Sequence, residues 1–162
     1  QVVVLPAGQA PLRDGPPRAS AADRIAMTRL AFADAAWARV DTRETLRAGP
    51  SWSIDTAREL SREHPQARLV WILGADQLGR LERWKDVVEL AGLVEFAVLS
   101  RDGLASEPPP ALLGKVRLHR LDAPPVAVSS TEIRTQLRAG QPTNGLLPAV
   151  RRHIEEHTLY QD

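Results

Sequence analysis

The stretch richest in chemistry is Val128-Ser129-Ser130-Thr131-Glu132-Ile133-Arg134. Ser129 and Glu132 have the spacing of a capping box, so a helix is expected to open here. The first turn of a helix combines free backbone N–H groups with the positive end of the dipole, which makes it a ready phosphate site. Three hydroxyls crowd that turn. Arg134 follows Ser130 by four residues, one turn along the same face, where its guanidinium can clamp a phosphate oxygen. A well-capped helix with an exposed Arg is the competing reading of the same residues.

Other segments offer less by themselves. Gly74-Ala75-Asp76 directly follows an apolar run. Gly lets a ligand approach the backbone closely, and Asp76 can accept from a ribose hydroxyl or simply cap the next helix. Trp84, between Arg83 and Lys85, can stack on a planar ring or fill the core. Gly49-Pro50-Ser51-Trp52-Ser53-Ile54-Asp55-Thr56 leads into a helix with Ser53 and Asp55 as possible caps. Pro6-Ala7-Gly8-Gln9-Ala10-Pro11-Leu12-Arg13 can wrap a ligand or be a plain loop. His153 and His157 are i,i+4 on the final helix and read as surface residues, because the sequence shows no carboxylate matched to them. The patterns G-x-G-x-x-G, G-x-x-x-x-G-K-[ST], H-E-x-x-H and G-x-S-x-G are absent. This counts against a classical dehydrogenase, a P-loop NTPase, a zincin and an α/β-hydrolase.

The elements that must carry these residues alternate. Val2–Leu5, Trp37–Thr42, Leu69–Leu73, Leu93–Leu99 and Val116–Leu121 read as strands. Helices are predicted from Arg24 to about Ala36 with Asp23 as cap, and over Ser53–Glu63 ended by Pro65. Others are predicted over Lys85–Ala91, Ser129–Ala139 with Gly140 as stop, and Pro148–His157. Apolar strands alternating with helices predict an α/β fold, a doubly wound Rossmann-like parallel sheet buried on both faces, with residues 1–162 as one domain. Ligands of such sheets bind beyond the carboxyl ends of the strands. That points to Pro6–Arg13, Gly74–Asp76, Ser100–Gly103 with Arg101, and the approach to Ser129.

Composition trims the possibilities. The 162 residues hold 21 Lys+Arg against 20 Asp+Glu, a balance that argues against a general nucleic-acid binder or a polybasic membrane surface. All the basic residues except Lys85 and Lys115 are Arg, which fits a GC-rich genome better than a phosphate-binding surface. There is no cysteine, which removes disulfides, Cys-ligated zinc and thiol catalysis. No apolar run approaches the ~20 residues that span a bilayer, and a cytoplasmic protein is expected. The chain begins with Gln1 and enters an apolar strand at once, so the expectation is a chain whose beginning, including a first strand, is missing.

Taken in order, the segments resemble the bacterial nicotinate-nucleotide adenylyltransferase family of the HxGH nucleotidyltransferase superfamily. The resemblance runs through Pro11-Leu12-Arg13, Pro50 to Thr56, Gly74-Ala75-Asp76-Gln77-Leu78 with Trp84, and Ser100-Arg101-Asp102-Gly103. It continues through Ser129 to Arg134, Leu146-Leu147-Pro148 and Leu159-Tyr160, covering essentially the whole chain. It implies AMP transfer from ATP to nicotinate mononucleotide, giving deamido-NAD and pyrophosphate with Mg²⁺. By position, Ser129, Thr131 and Arg134, with the Ser130 hydroxyl beside them, would hold ATP phosphates. Gly74 and Asp76 would line the nucleotide site, Trp84 would stack on the pyridine ring, and Ser53 would offer its backbone N–H to the nicotinate carboxylate. Arg13 would face the ATP phosphates and Arg101 the phosphate of the nicotinate nucleotide.

Two departures from the family pattern stand out. Leu12 replaces a usual His, and the HxGH segment of the family is absent from the sequence before Val2. Two other readings stay open: a related transferase acting on nicotinamide mononucleotide or pantetheine phosphate, and a non-catalytic nucleotide-binding remnant.

Overall fold

The computed structural model describes residues 1–12, 15, 17–99, 107–121 and 128–161. Internal contacts divide the chain into two compact units, Gln1–Ser51 with Ala127–Asp162, and Trp52–Val126. Every described strand pair is parallel, as the alternation of strands and helices demands.

In the first unit β1 (Val2–Val4) pairs with β2 (Ala38–Val40), Val3 lying opposite Arg39. The crossover between them is α1 (Ala21–Ala31). Its cap is Ser20 rather than Asp23: the Ser20 hydroxyl accepts from the Asp23 N–H at 3.0 Å, while Asp23 sits in the first turn and complements the dipole. The helix stops at Ala31, short of the predicted Ala36, and just beyond it the Phe32 and Trp37 rings meet edge to face with centroids 6.0 Å apart. A single-turn helix, α2 (Arg43–Leu46), follows β2. Asp41 precedes it and takes the Arg43 guanidinium at 2.7 and 3.0 Å and the Arg43 N–H at 3.0 Å. The Arg43 hydrogen bonds hold the Asp41 carboxyl below the usual carboxylate range. Two further helices complete this unit. One is α6 (Ser130–Arg138), after which Gly140 turns left-handed at φ 64°; the other is α7 (Pro148–Glu156), with Pro148 in its first turn. Val150 and Ile154 of α7 are buried, and α7 packs on α1.

The second unit begins with α3 (Ser53–Glu63), found over the residues predicted. Its three-stranded sheet has the order β3 (Val70–Gly74), β4 (Glu95–Leu99), β5 (Leu118–Leu121). Between β3 and β4 lie a single turn α4 (Ala75–Leu78), a 3-10 turn (Leu81–Arg83) and α5 (Val87–Leu93), and a second 3-10 turn (Pro110–Leu112) precedes β5. Register sets Leu73 beside Val98, Gly74 beside Leu99 and Val98 beside Arg120. Ile54, Leu78, Leu81, Leu90 and Phe96 are fully sequestered and form the centre of the core. Burying each such side chain contributes about 1.5–3 kcal/mol. Arg58 of α3 is pinned to Glu89 of α5 at 2.7 and 2.8 Å and to Asp55 at 3.1 Å. That pairing lowers the Glu89 pKa.

The expectation of strands buried on both faces holds for β4 alone. Glu95 to Val98 are buried, whereas Val70 and Ile72 of β3 are 41% and 50% exposed. The reason is position: β4 lies between two strands and is packed by α5, while β3 and β5 are the outer strands of their sheet. Among the described residues no helix is long and apolar enough to cross a membrane.

Candidate functional site

The Ser129–Arg134 turn forms as its residue types dictate. Ser129 adopts an extended backbone, and its hydroxyl accepts from the N–H groups of Thr131 at 3.2 Å and Glu132 at 3.3 Å. The Ile133 N–H meets the Ser129 carbonyl at 3.0 Å and starts the ladder. The Arg134 guanidinium folds back over the turn and donates to the Thr131 hydroxyl at 3.4 Å. Ser130, Thr131 and Glu132 are exposed, and Arg134 and Ser129 are half-buried. Four of the expected groups therefore converge on one solvent-facing helix end: a cap hydroxyl, two further hydroxyls and a cation. Such a surface receives an anion by charge and by hydroxyl donation, while the Thr131 and Glu132 amides already serve the cap.

In the second unit Gly74 ends β3 and caps α4, and Asp76 falls inside α4 rather than at its cap. The Asp76 carboxylate swings back across Gly74: a Cβ at position 74 would meet Asp76 Oδ1 at 2.7 Å. Glycine is what lets that carboxylate lie against the strand's carboxyl end. The other oxygen accepts from the Gln77 amide at 3.1 Å, and Asp76 stays exposed and available to a hydroxyl-bearing ligand. Trp84 follows the 3-10 turn and is half-buried against the apolar core, so part of its ring already has packing partners.

Ser53 opens α3, half-buried, and the expected caps Ser53 and Asp55 do not act as caps. The N-cap is Trp52, extended at φ −80° and ψ 131°, with no side chain bonded to the helix end. Above the Trp52 ring, Lys85 Nζ stands 5.6 Å from the centroid. Arg13 and Arg101 lie outside the described residues.

Gly8, Ser51, Glu44 and Arg24 shape the first loop, and of these neither Glu44 nor Arg24 was expected to bear on it. Gly8 donates its N–H to the Ser51 hydroxyl at 3.1 Å, and that buried hydroxyl donates to the Glu44 carbonyl at 3.2 Å. A Cβ on Gly8 would collide with the Glu44 carbonyl. Arg24 of α1 donates to the carbonyls of Ala7, Gly8 and Ala19. The segment from Pro6 to Gln9 is thus stitched down, and an open depression of about 350 Å³ lies against it, bordered by Gly8, Gln9, Ser20, Arg24, Thr45 and Arg47. The one local signal for this was Gly8, following Pro6 at the end of a strand.

Parallel strands, helix crossovers and hydroxyl-rich or glycine-bearing helix starts are the parts of a nucleotide-binding α/β protein. The cytidylyltransferase-like family matches residues 1–136 of the chain. A relative in Synechococcus sp. (strain JA-3-3Ab), named "Probable nicotinate-nucleotide adenylyltransferase", is 38% identical over 167 residues, spanning 100% of this chain and 81% of its own length. A protein of the same name in Bordetella avium is 40% identical over 99% of this chain and 83% of its own. The nicotinic acid mononucleotide adenylyltransferase of Plasmodium falciparum, solved in complex with NaAD, superposes with a TM-score of 0.76 at 16% identity, covering 99% of this chain and 82% of that one. The chain belongs to the cytidylyltransferase-like family and, within it, to the nicotinate-nucleotide adenylyltransferases.

Proposed function

We propose that the chain transfers AMP from ATP to nicotinate mononucleotide, yielding deamido-NAD and pyrophosphate in the cytoplasm, with residues 1–162 belonging to one nucleotidyltransferase domain. The observation that carries this reading is identity of 36–40% with relatives named for that activity, extending over essentially the whole chain. In the reaction an oxygen of the mononucleotide phosphate attacks the α-phosphorus of ATP in line. The bond from that phosphorus to the bridging oxygen breaks, and pyrophosphate leaves. Catalysis then consists of positioning and charge neutralisation, with no covalent step on the protein.

The residues suit those tasks. Ser129, Ser130, Thr131 and Arg134, together with Arg13, hold the ATP phosphates: hydroxyls donate to phosphate oxygens and the guanidinium draws off charge. Asp76 accepts from a ribose hydroxyl of the nicotinate nucleotide, with Gly74 giving the close approach. The Ser53 N–H meets the nicotinate carboxylate at the uncapped start of α3, Trp84 offers a ring face to the pyridine, and Arg101 faces the nucleotide phosphate. Mg²⁺ accompanying ATP would be held by oxygen donors. The hydroxyls around Ser129 and the exposed Glu132 carboxylate are an oxygen-only donor set compatible with it. When bound, it neutralises charge on the departing pyrophosphate.

The test compares acceptors. Expressed from its complete reading frame, the protein should release pyrophosphate from ATP and nicotinate mononucleotide faster than from ATP and nicotinamide mononucleotide or pantetheine phosphate. Equal or reversed rates would overturn the acceptor, and no release with any acceptor would leave a nucleotide-binding remnant as the better reading.

A further inference from the structure

His153 of α7 and His157, which caps the end of that helix, lie a turn apart, and their rings stack with centroids 4.1 Å apart at 24°. Helix α1 packs against α7 and presents Asp23 to that face. A single carboxylate oxygen, Oδ1, lies 3.1 Å from His153 Nε2 and 3.2 Å from His157 Nδ1. One ligand atom from each of the three residues falls within 4.8 Å of the others. The second carboxylate oxygen accepts the Ser20 hydroxyl at 2.6 Å, which fixes the direction in which Oδ1 points. Asp23 and His153 are largely buried, with side chains 16% and 13% exposed, while His157 opens to solvent at 51%.

Two ring nitrogens from stacked imidazoles and a carboxylate oxygen are gathered about one point, the donor set of a metal site as well as of a hydrogen-bonded cluster. A divalent cation is ligated by neutral imidazole nitrogens and by a carboxylate, the three groups gathered here. In a tetrahedral zinc site, bonds of about 2.0–2.1 Å put neighbouring ligand atoms roughly 3.3 Å apart. The two separations from Oδ1 are close to that edge. Two imidazoles and a carboxylate suit zinc and its transition-metal neighbours, whereas Mg²⁺ and Ca²⁺ take oxygen ligands. The Ser20 hydroxyl is the kind of outer partner that orients a ligating carboxylate.

We propose that Asp23, His153 and His157 bind one zinc-type divalent ion, with water in the fourth position on the solvent side of His157. The ion fastens the C-terminal helix α7 to α1. It is separate from any Mg²⁺ that travels with ATP, and it takes no part in adenylyl transfer.

The test uses the whole protein, freed of metal by a chelator, with Co²⁺ as spectroscopic probe and Zn²⁺ in calorimetry and thermal melts. One equivalent of Co²⁺ should bind with the intense visible absorption of a four-coordinate N/O site, and Zn²⁺ should displace it and raise the melting midpoint. Mg²⁺ should do neither. The double variant His153→Ala with His157→Ala, and separately Asp23→Asn, should lose the spectrum and the Zn²⁺-dependent shift, while His64→Ala and His119→Ala keep both. Because His157 is half-exposed, His157→Ala alone serves as the variant least able to disturb folding, and circular dichroism of the metal-free forms checks that it has not. Absence of binding by the parent protein overturns the proposal. So does binding of equal strength and spectrum by the His157→Ala variant, or a site that disappears with His64 or His119.

Discussion

Helices α3 and α6 begin in opposite ways. The start of α6 is secured by its own sequence: Ser129 caps two amides, and no residue of the helix is buried. The start of α3 has no side-chain cap, yet the helix buries Ile54, Thr56, Ala57 and Leu60. A cap is worth about 1 kcal/mol, and each large buried aliphatic about 1.5–3 kcal/mol. Packing therefore holds α3 without a side-chain cap on its first amides. Helix α6 spends its amides on itself and offers hydroxyls and Arg134 instead. The proposed nicotinate carboxylate contact therefore falls at a helix end with open backbone N–H groups, and the proposed phosphate contacts at one that offers side chains.

The most severe test of this contrast is Arg134→Ala. In its proposed role against phosphate charge, loss of this guanidinium should lower kcat/KM by about 100-fold, with stability changed by no more than about 0.5 kcal/mol. Pyrophosphate release and a urea melt measure the two, and a loss of stability matching the loss of activity would make α6 a structural helix only. Next in size is Ser53→Pro. Proline is tolerated in a first helical turn, and Trp52 already has the extended backbone that a following proline requires. The substitution deletes one N–H and should raise KM for nicotinate mononucleotide about tenfold, leaving KM for ATP unchanged. An unaltered KM for the mononucleotide would show that the open amides of α3 serve nothing. The smallest effect is expected from Ser129→Asp, which caps as well as serine. Its melting midpoint should hold, while the carboxylate beside the ATP phosphates lowers kcat/KM about fivefold, equivalent to ~1 kcal/mol. Full activity would place the phosphates away from the cap.

The same contrast explains what could be read from the chain alone. Helix α3 was legible to the residue, because Ile54, Ala57 and Leu60 repeat at helical spacing and Pro65 ends the run. The α6 turn was legible because its capping is entirely local. Single-turn helices α2 and α4 were not, since four residues are too few to show a period, and Asp76 consequently sits inside a helix rather than at its cap. The start of α1 was misplaced by one competing choice: Ser20 and Asp23 both suit an N-cap, and the hydroxyl took the position. His153 and His157 read as plain surface residues because their partner Asp23 lies 130 positions from His153. No local pattern reports a contact of that range.

That separation also has a bearing on how the protein is made. The unit spanning Trp52–Val126 is one continuous stretch, whereas the other joins Gln1–Ser51 to Ala127–Asp162. On the ribosome the continuous unit holds all its strands once Val126 has emerged, and its sheet can close while synthesis goes on. The earlier segment must wait for the last helix, and the loop that has to close is long. During that wait α1 is without the helix α7 that packs on it in the finished protein.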